Sequence, residues 1–199
     1  VHIYRIYVII GKSASGKDTV AKRLLEDRSL GLAPVVPYTT RPIRAGEKDG
    51  TDYFFTDDEG FSRMKSEGRV IECRTYHTVY GDWNYFTADD GQIDLAKSDS
   101  LTVGTLESYV SIRDYFGKDR VTPIYIEVDD GERLTRALDR EKRQKQPRYE
   151  EMCRRFLADQ KDFSEERLRE AGIDRRFPNK DINETVAEIA EVIRYGHKG

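Results

Sequence analysis

"IYRIYVIIGKSASGKDTVAKRLLEDR", residues 3–28, decides how the rest of the chain is read. Its first eight residues are a short run of β-branched and aromatic side chains, the composition of a strand buried on both faces. "GKSASGK" follows without a break, and then Val20 and Leu24 fall at helical spacing. Gly11, Gly16 and Lys17 complete the pattern G-x-x-x-x-G-K between a strand and a helix, the context that gives this pattern a physical meaning. Backbone N–H groups through Ser13, Ala14 and Ser15 can curl around a phosphate, because the flanking glycines allow the dihedrals and the close approach. A helix opening at Gly16 points its positive end at the same anion, and Lys17 adds a mobile charge. Asp18 and Thr19 follow where a Ser or Thr magnesium ligand is expected directly after the lysine. The Asp18 carboxylate either complements the helix dipole or holds Mg2+ directly or through water.

Working outward, "SLTVGT" and "VTPIYIEV" read as two further inner strands, with helical "LESYVSIRDYF" between them. Strands alternating with helices predict an α/β fold with a parallel sheet. The last third reads as helical, with one helix over residues 149–171 and another after a break at "RRFPNKD". Residues 37–87 interrupt the rhythm: a loop, a short strand at 53–55, a helix over 58–67 and strands over 69–75 and 79–87. A basic run broken by Pro147, "REKRQKQPRYEE", interrupts a helical pattern a second time.

The chain has 199 residues, room for one α/β domain rather than two cores. Its 34 Lys+Arg nearly balance 37 Asp+Glu, so no basic field points to nucleic acid. The apolar run ending at Ile10 is too short for a membrane span or a secretory core. Cys73 and Cys153 have no metal or disulfide spacing, which predicts reduced thiols and a cytoplasmic protein.

A second stretch separates the possible uses of a phosphate loop. "TTRPIRAGEKDGTDYFF", residues 39–55, resembles the acceptor-binding motif of guanylate kinases, T-T-R-x-x-R-x-G-E-x-x-G-x-x-Y, at every fixed position. The resemblance runs from the first strand to about residue 80 and continues more weakly to the final helices. It implies a P-loop kinase fold, a three-layer sandwich with an inserted acceptor-binding subdomain and a small helical lid. On this reading the core takes residues 1–36, 98–139 and 156–199, the insertion 37–97 and the lid 140–155. It implies MgATP as donor and GMP or dGMP as acceptor, with nucleotides as the binding partners and no nucleic acid or membrane. Arg41 and Arg44 would grip the acceptor phosphate as guanidinium forks. Glu47 would brace an arginine or the loop, and Tyr53 with a second tyrosine, Tyr80 in preference to Tyr85, would add hydroxyls. Glu72 would accept from guanine N1–H and N2–H. Arg143 and Arg155 in the lid would neutralise the transferring phosphoryl group alongside Lys17 and Arg41, and Asn179 would belong to the adenine loop.

The chain departs from the family pattern at several places. Ala14 stands for a usual Gly, Pro37 for a Ser and Asp82 for a hydroxyl. Gly104 and Leu106 stand where the family has two acids. Thr105 and Glu107 adjoin them, but on a strand adjacent side chains turn to opposite faces. Two other readings are a kinase for another phosphorylated acceptor, such as ribose 1,5-bisphosphate, and a non-catalytic guanylate-kinase-like binding module. Retention of Arg44, Glu47, Tyr53 and Glu72 speaks against the first, and of Gly11, Gly16 and Lys17 against the second.

Overall fold

The structure is a computed structural model and describes residues 3–44, 46–78 and 81–195. Strand β1 (Ile6–Ile10) is fully buried and forms the middle of a five-stranded parallel sheet. Its neighbours are β7 (Ser100–Gly104) and β8 (Val121–Glu127), with β2 (Ala33–Pro34) and β9 (Arg176–Pro178) at the edges. Alternation along β1 divides the core. Ile6, Val8 and Ile10 pack with Leu106, Tyr109 and Ile112 of α3 (Leu106–Phe116) and with Leu168 of α6 (Glu165–Glu170). Tyr7 and Ile9 pack with Val20 and Leu24 of α1 (Lys17–Glu26) and Ile189 of α7 (Ile182–Tyr195). With helices on both faces the sheet buries β1 completely and most of β7 and β8, as their apolar runs require. The predicted three-layer α/β sandwich is the observed one.

The inserted segment forms a second, four-stranded sheet in the order β4 (Phe54–Phe55), β3 (Tyr38–Thr39), β6 (Gly81–Ala88), β5 (Val70–Thr78), with α2 (Asp58–Ser66) beside it. Ile71 of β5 enters the core cluster under α3, which ties this sheet to the parallel one. Strand β5 runs three residues past its expected end. Val79 and Tyr80, expected to open the next strand, lie outside the described residues.

Helices α4 (Asp130–Lys142) and α5 (Tyr149–Asp162) flank the basic interruption. The break at 143–148 follows from Pro147, which disfavours helical geometry in the residue before it. The single helix expected over 149–171 is two helices. Ser164 caps α6 by accepting from the Arg167 N–H, so a new helix starts where the pattern reads as continuous. No helix among the described residues is long and apolar enough to cross a membrane.

Candidate active site

The phosphate loop joins β1 to α1, and its shape is held by close backbone approach. A Cβ on Gly11 would lie 2.8 Å from both the Ile126 carbonyl oxygen and Ser15 Oγ, so only glycine fits. Gly16, the residue before α1, has φ 84°, and Asn179 Nδ2 sits 2.6 Å from where its Cβ would be. Ala14 takes φ 61°, a left-handed conformation in which a Cβ is strained. This explains why glycine is the usual residue there. Lys17 is the first residue of α1, with Nζ 3.6 Å from the exposed Asp18 carboxylate. Thr19 is also exposed.

Side chains distant in sequence wire this loop in place. Asn179 is 4% exposed and donates from Nδ2 to the Ser15 carbonyl at 2.8 Å, so its amide braces the loop. Ser13 N–H donates to Asp159 Oδ2 on α5 at 2.7 Å. Arg133, 1% exposed on α4, donates to the Ser13 carbonyl and to both Asp130 and Asp159, and stacks over Phe156. Lys12 Nζ donates to Gln160 Oε1 at 2.6 Å. The sequence reading missed Arg133, Asp130 and Asp159. The one available signal is that Asp130 and Arg133 lie one helical turn apart beside the apolar Ala137. Ser15 Oγ, which closes on Gly11, is buried without a hydrogen-bond partner among the described residues. A cleft of about 490 Å³ opens beside the loop at the ends of β8 and β9, lined by Lys12, Glu127, Arg133, Pro178, Asn179 and Lys180.

Among the described residues no hydrogen bond or ion pair joins Arg143 or Arg155 to this loop. Arg155 donates from Nε to Glu151 on its own helix, and Arg154 pairs with the same carboxylate. That carboxylate is held down to about 2, chiefly by the Arg154 hydrogen bond. Arg143 is exposed at the C-terminal end of α4.

On the second sheet the motif residues meet. Arg41 is 3% exposed, yet its guanidinium is almost fully engaged. Nε donates to the Tyr85 hydroxyl at 3.0 Å, one terminal nitrogen to the Pro42 carbonyl and Glu47, and the other to Glu47. Of its five N–H groups four have hydrogen-bond partners among the described residues. Its charge rests among the rings of Tyr53, Phe55 and Tyr85, at 5.2, 5.5 and 6.0 Å. Glu47, held down to about 2 mainly by Arg41, also accepts from the Arg44 N–H. It therefore braces both the arginine and the loop. The Arg44 side chain is exposed, and no hydrogen bond among the described residues holds its guanidinium. Burial raises the Tyr53 hydroxyl pKa. Tyr85, the second of the two candidate tyrosines, is the one in contact with Arg41; Tyr80 lies outside the described residues. Asp82 pairs with His77, 2.6 Å away, at the end of the hairpin.

Strand register puts Glu72, Arg74 and Tyr76 on one face, opposite Thr87, Tyr85 and Trp83. Glu72 is 8% exposed and accepts from the Thr87 hydroxyl at 2.9 Å. Burial pushes its carboxyl above the ordinary range, while the Arg74 charge pulls it down and Glu107 pushes it up. The influence of Glu107 corrects the strand argument. Strand β7 ends at Gly104, Thr105 caps α3 by accepting from the Ser108 N–H, and Glu107 therefore lies on a helix. Successive side chains there turn by about 100°, not 180°. Leu106 is buried while Glu107 is exposed, and its charge is one of those that raise Glu72.

These features agree with what the chain is similar to. The guanylate kinase family profile matches residues 3–195. A guanylate kinase of Anaplasma phagocytophilum is 30% identical over 198 residues, covering 95% of this chain and 85% of that one. That of Schizosaccharomyces pombe is 43% identical over a 75-residue segment, 37% of each chain. The crystal structure of guanylate kinase from Anaplasma phagocytophilum superposes with a TM-score of 0.67 at 26% identity, covering all of this chain and 88% of that one. A family match along nearly the whole length, a 30% identical relative and a superposable structure place the chain in the guanylate kinase family, the ATP-dependent nucleoside monophosphate kinases.

Proposed function

We propose that this chain transfers the γ-phosphoryl group of MgATP to GMP, giving GDP and ADP, in the cytoplasm. The observation that carries the acceptor is the second sheet's face, where a buried carboxylate, Glu72, lies beside the aromatic cage that holds Arg41. A carboxylate there accepts from guanine N1–H and N2–H, whereas adenine presents an acceptor at N1 and is repelled.

The acceptor phosphate is held by the exposed Arg44, by the hydroxyls of Tyr53 and Tyr85, and by the remaining N–H of Arg41. Arg41 and Glu47 also hold Tyr85 and the loop in position, so the acceptor phosphate meets a preorganised set of donors. On the donor side the loop amides and Ser15 Oγ receive phosphate oxygens. Lys17 follows the charge of the migrating group, and the cleft beside Asn179 takes the donor base. The cations of Arg143 and Arg155 serve transfer after the lid turns them inward and excludes water.

Asp18 is exposed next to Lys17, and no cluster of three or more metal-ligating side chains occurs among the described residues. That fits a magnesium ion held mainly by nucleotide phosphates and water, with Asp18 as its protein contact. Bound there, the ion would neutralise phosphate charge. Asp18→Ala should then raise the magnesium concentration needed for half-maximal rate.

The test is ADP release from MgATP with GMP, dGMP, AMP, UMP, CMP and ribose 1,5-bisphosphate as acceptors. GMP and dGMP should give the highest kcat/KM. Faster turnover with the sugar bisphosphate, or none with any acceptor, would overturn the reading.

A further inference from the structure

Arg74 lies on the acceptor face but belongs to no part of the phosphate-binding motif. It projects from β5 two residues after Glu72 and directly opposite Tyr85, so it stands between the carboxylate and the tyrosine cage. Its side chain is 28% exposed, and its Nε is buried without a hydrogen-bond partner among the described residues. Its ion-pair partner, Glu72 Oε2, is 3.8 Å away, too far for a hydrogen bond. The other oxygen, Oε1, takes the Thr87 hydroxyl. A buried N–H with no partner is costly unless something else completes it, and a ligand on this face can do so.

Guanine offers what is missing. Its N1–H and N2–H groups are donors, and O6 and N7 beside them are acceptors, which arginine commonly takes as a fork. A donor 3.8 Å from an acceptor carboxylate can engage neighbouring atoms of a single base edge. We propose that Arg74 is a specificity-determining residue that donates to guanine O6, and to N7 where its fork reaches, while Glu72 accepts from N1–H and N2–H. This rests on the GMP reading above and sharpens it. Adenine meets two mismatches in such a site, an acceptor at N1 against Glu72 and an amino group at C6 against Arg74. The Arg74 charge also supports ionised Glu72, which its burial opposes.

The experiment compares kcat/KM of wild type, Arg74→Met and Arg74→Lys with three acceptors: GMP, 6-thio-GMP and IMP. 6-thio-GMP keeps both donors and replaces O6 by a weakly accepting sulfur, whereas IMP keeps O6 and lacks the N2 amino group. Wild type should prefer GMP to 6-thio-GMP. Arg74→Met should lose about tenfold or more with GMP and IMP. Its GMP to 6-thio-GMP ratio should fall toward one, with the GMP to IMP ratio unchanged. Arg74→Lys, which keeps a donor without the fork, should fall between. Equal losses with all three acceptors would mean that Arg74 holds phosphate or the sheet, and no loss would mean that it holds neither base nor phosphate. Either result overturns the inference and leaves the GMP reading standing. Absence of GMP turnover in wild type would overturn both. Unchanged thermal unfolding of the Met variant is the control for folding, and the Lys variant carries the test if the Met variant is unstable.

Discussion

The loop at residues 11–17 is built from backbone, and the face across residues 39–87 is built from side chains. In the loop the decisive contacts are closest approaches of main chain, such as Gly11 against the Ile126 carbonyl, stiffened from outside by Asn179, Asp159 and Arg133. On the face they are a caged guanidinium, a buried carboxylate and an arginine whose Nε has no hydrogen-bond partner among the described residues. A backbone cradle presents the same N–H groups to any polyphosphate. A side-chain face presents donors and acceptors in an order that only some ligands match. The comparison fits the proposed division, with phosphate affinity in the first region and the choice of base in the second.

The largest effect should come from the wiring of the loop. Arg133→Ala takes the shared guanidinium from the Asp130 and Asp159 carboxylates, leaving Lys12 and Gln160 on the first and the Ser13 N–H on the second, and removes packing on Phe156. It should lower stability by about 3 kcal/mol in urea unfolding, the scale of losing charged hydrogen bonds together with an aromatic contact. Loss of under about 1 kcal/mol would show that the loop does not depend on the helices behind it. Next is Lys17→Ala, which should lower kcat by about 10²–10³ with thermal unfolding unchanged, the effect of removing one preorganised group from a transition state. Retention of most turnover would remove the loop from the chemistry.

On the face, Glu47→Gln should weaken the brace in a pH-dependent way. The Glu47 carboxyl is held down to about 2 when folded, against an ordinary value of 4.5. A depressed carboxyl contributes stability that is fully present above the unfolded pKa and is lost as pH falls toward the folded one. The stability gap between wild type and variant should thus be constant near neutrality and shrink below about pH 4.5. A gap that does not change with pH would mean that Glu47 acts through shape alone. The smallest effect should be Ala14→Gly, which relieves a left-handed alanine at the cost of a more flexible unfolded chain. It should add about 0.5–1 kcal/mol.

The same contrast explains what could be read from sequence. Gly11, Gly16 and Lys17 are legible because a backbone cradle fixes residue spacing within a few positions, and β1 and α1 are legible because burial fixes their periodicity. The motif from Thr39 to Tyr53 is legible for a related reason, since Glu47 must reach back to Arg41 within one loop. Arg74 is not, and Tyr85 and Glu107 are legible only as second choices, because each acquires its neighbours through strand register or a helix start. The Thr105 cap that turns Glu107 onto a helix is a single hydroxyl hydrogen bond, too local to appear in any periodicity. Arg133 was hidden for the opposite reason: in a charged helix its sequence looks solvated, and only the fold buries it.

The division of labour is tested most directly by one substitution measured on both substrates. Glu72→Gln changes a carboxylate on the face to an amide, which can donate to adenine N1, and leaves the loop untouched. The quantities are the ratio of kcat/KM for GMP over AMP, and the KM for ATP, in wild type and variant. A ratio that falls by about tenfold or more with an unchanged KM for ATP is the predicted result. An unchanged ratio, or a KM for ATP that moves as far as the acceptor's, would contradict the assignment of base choice to the side-chain face.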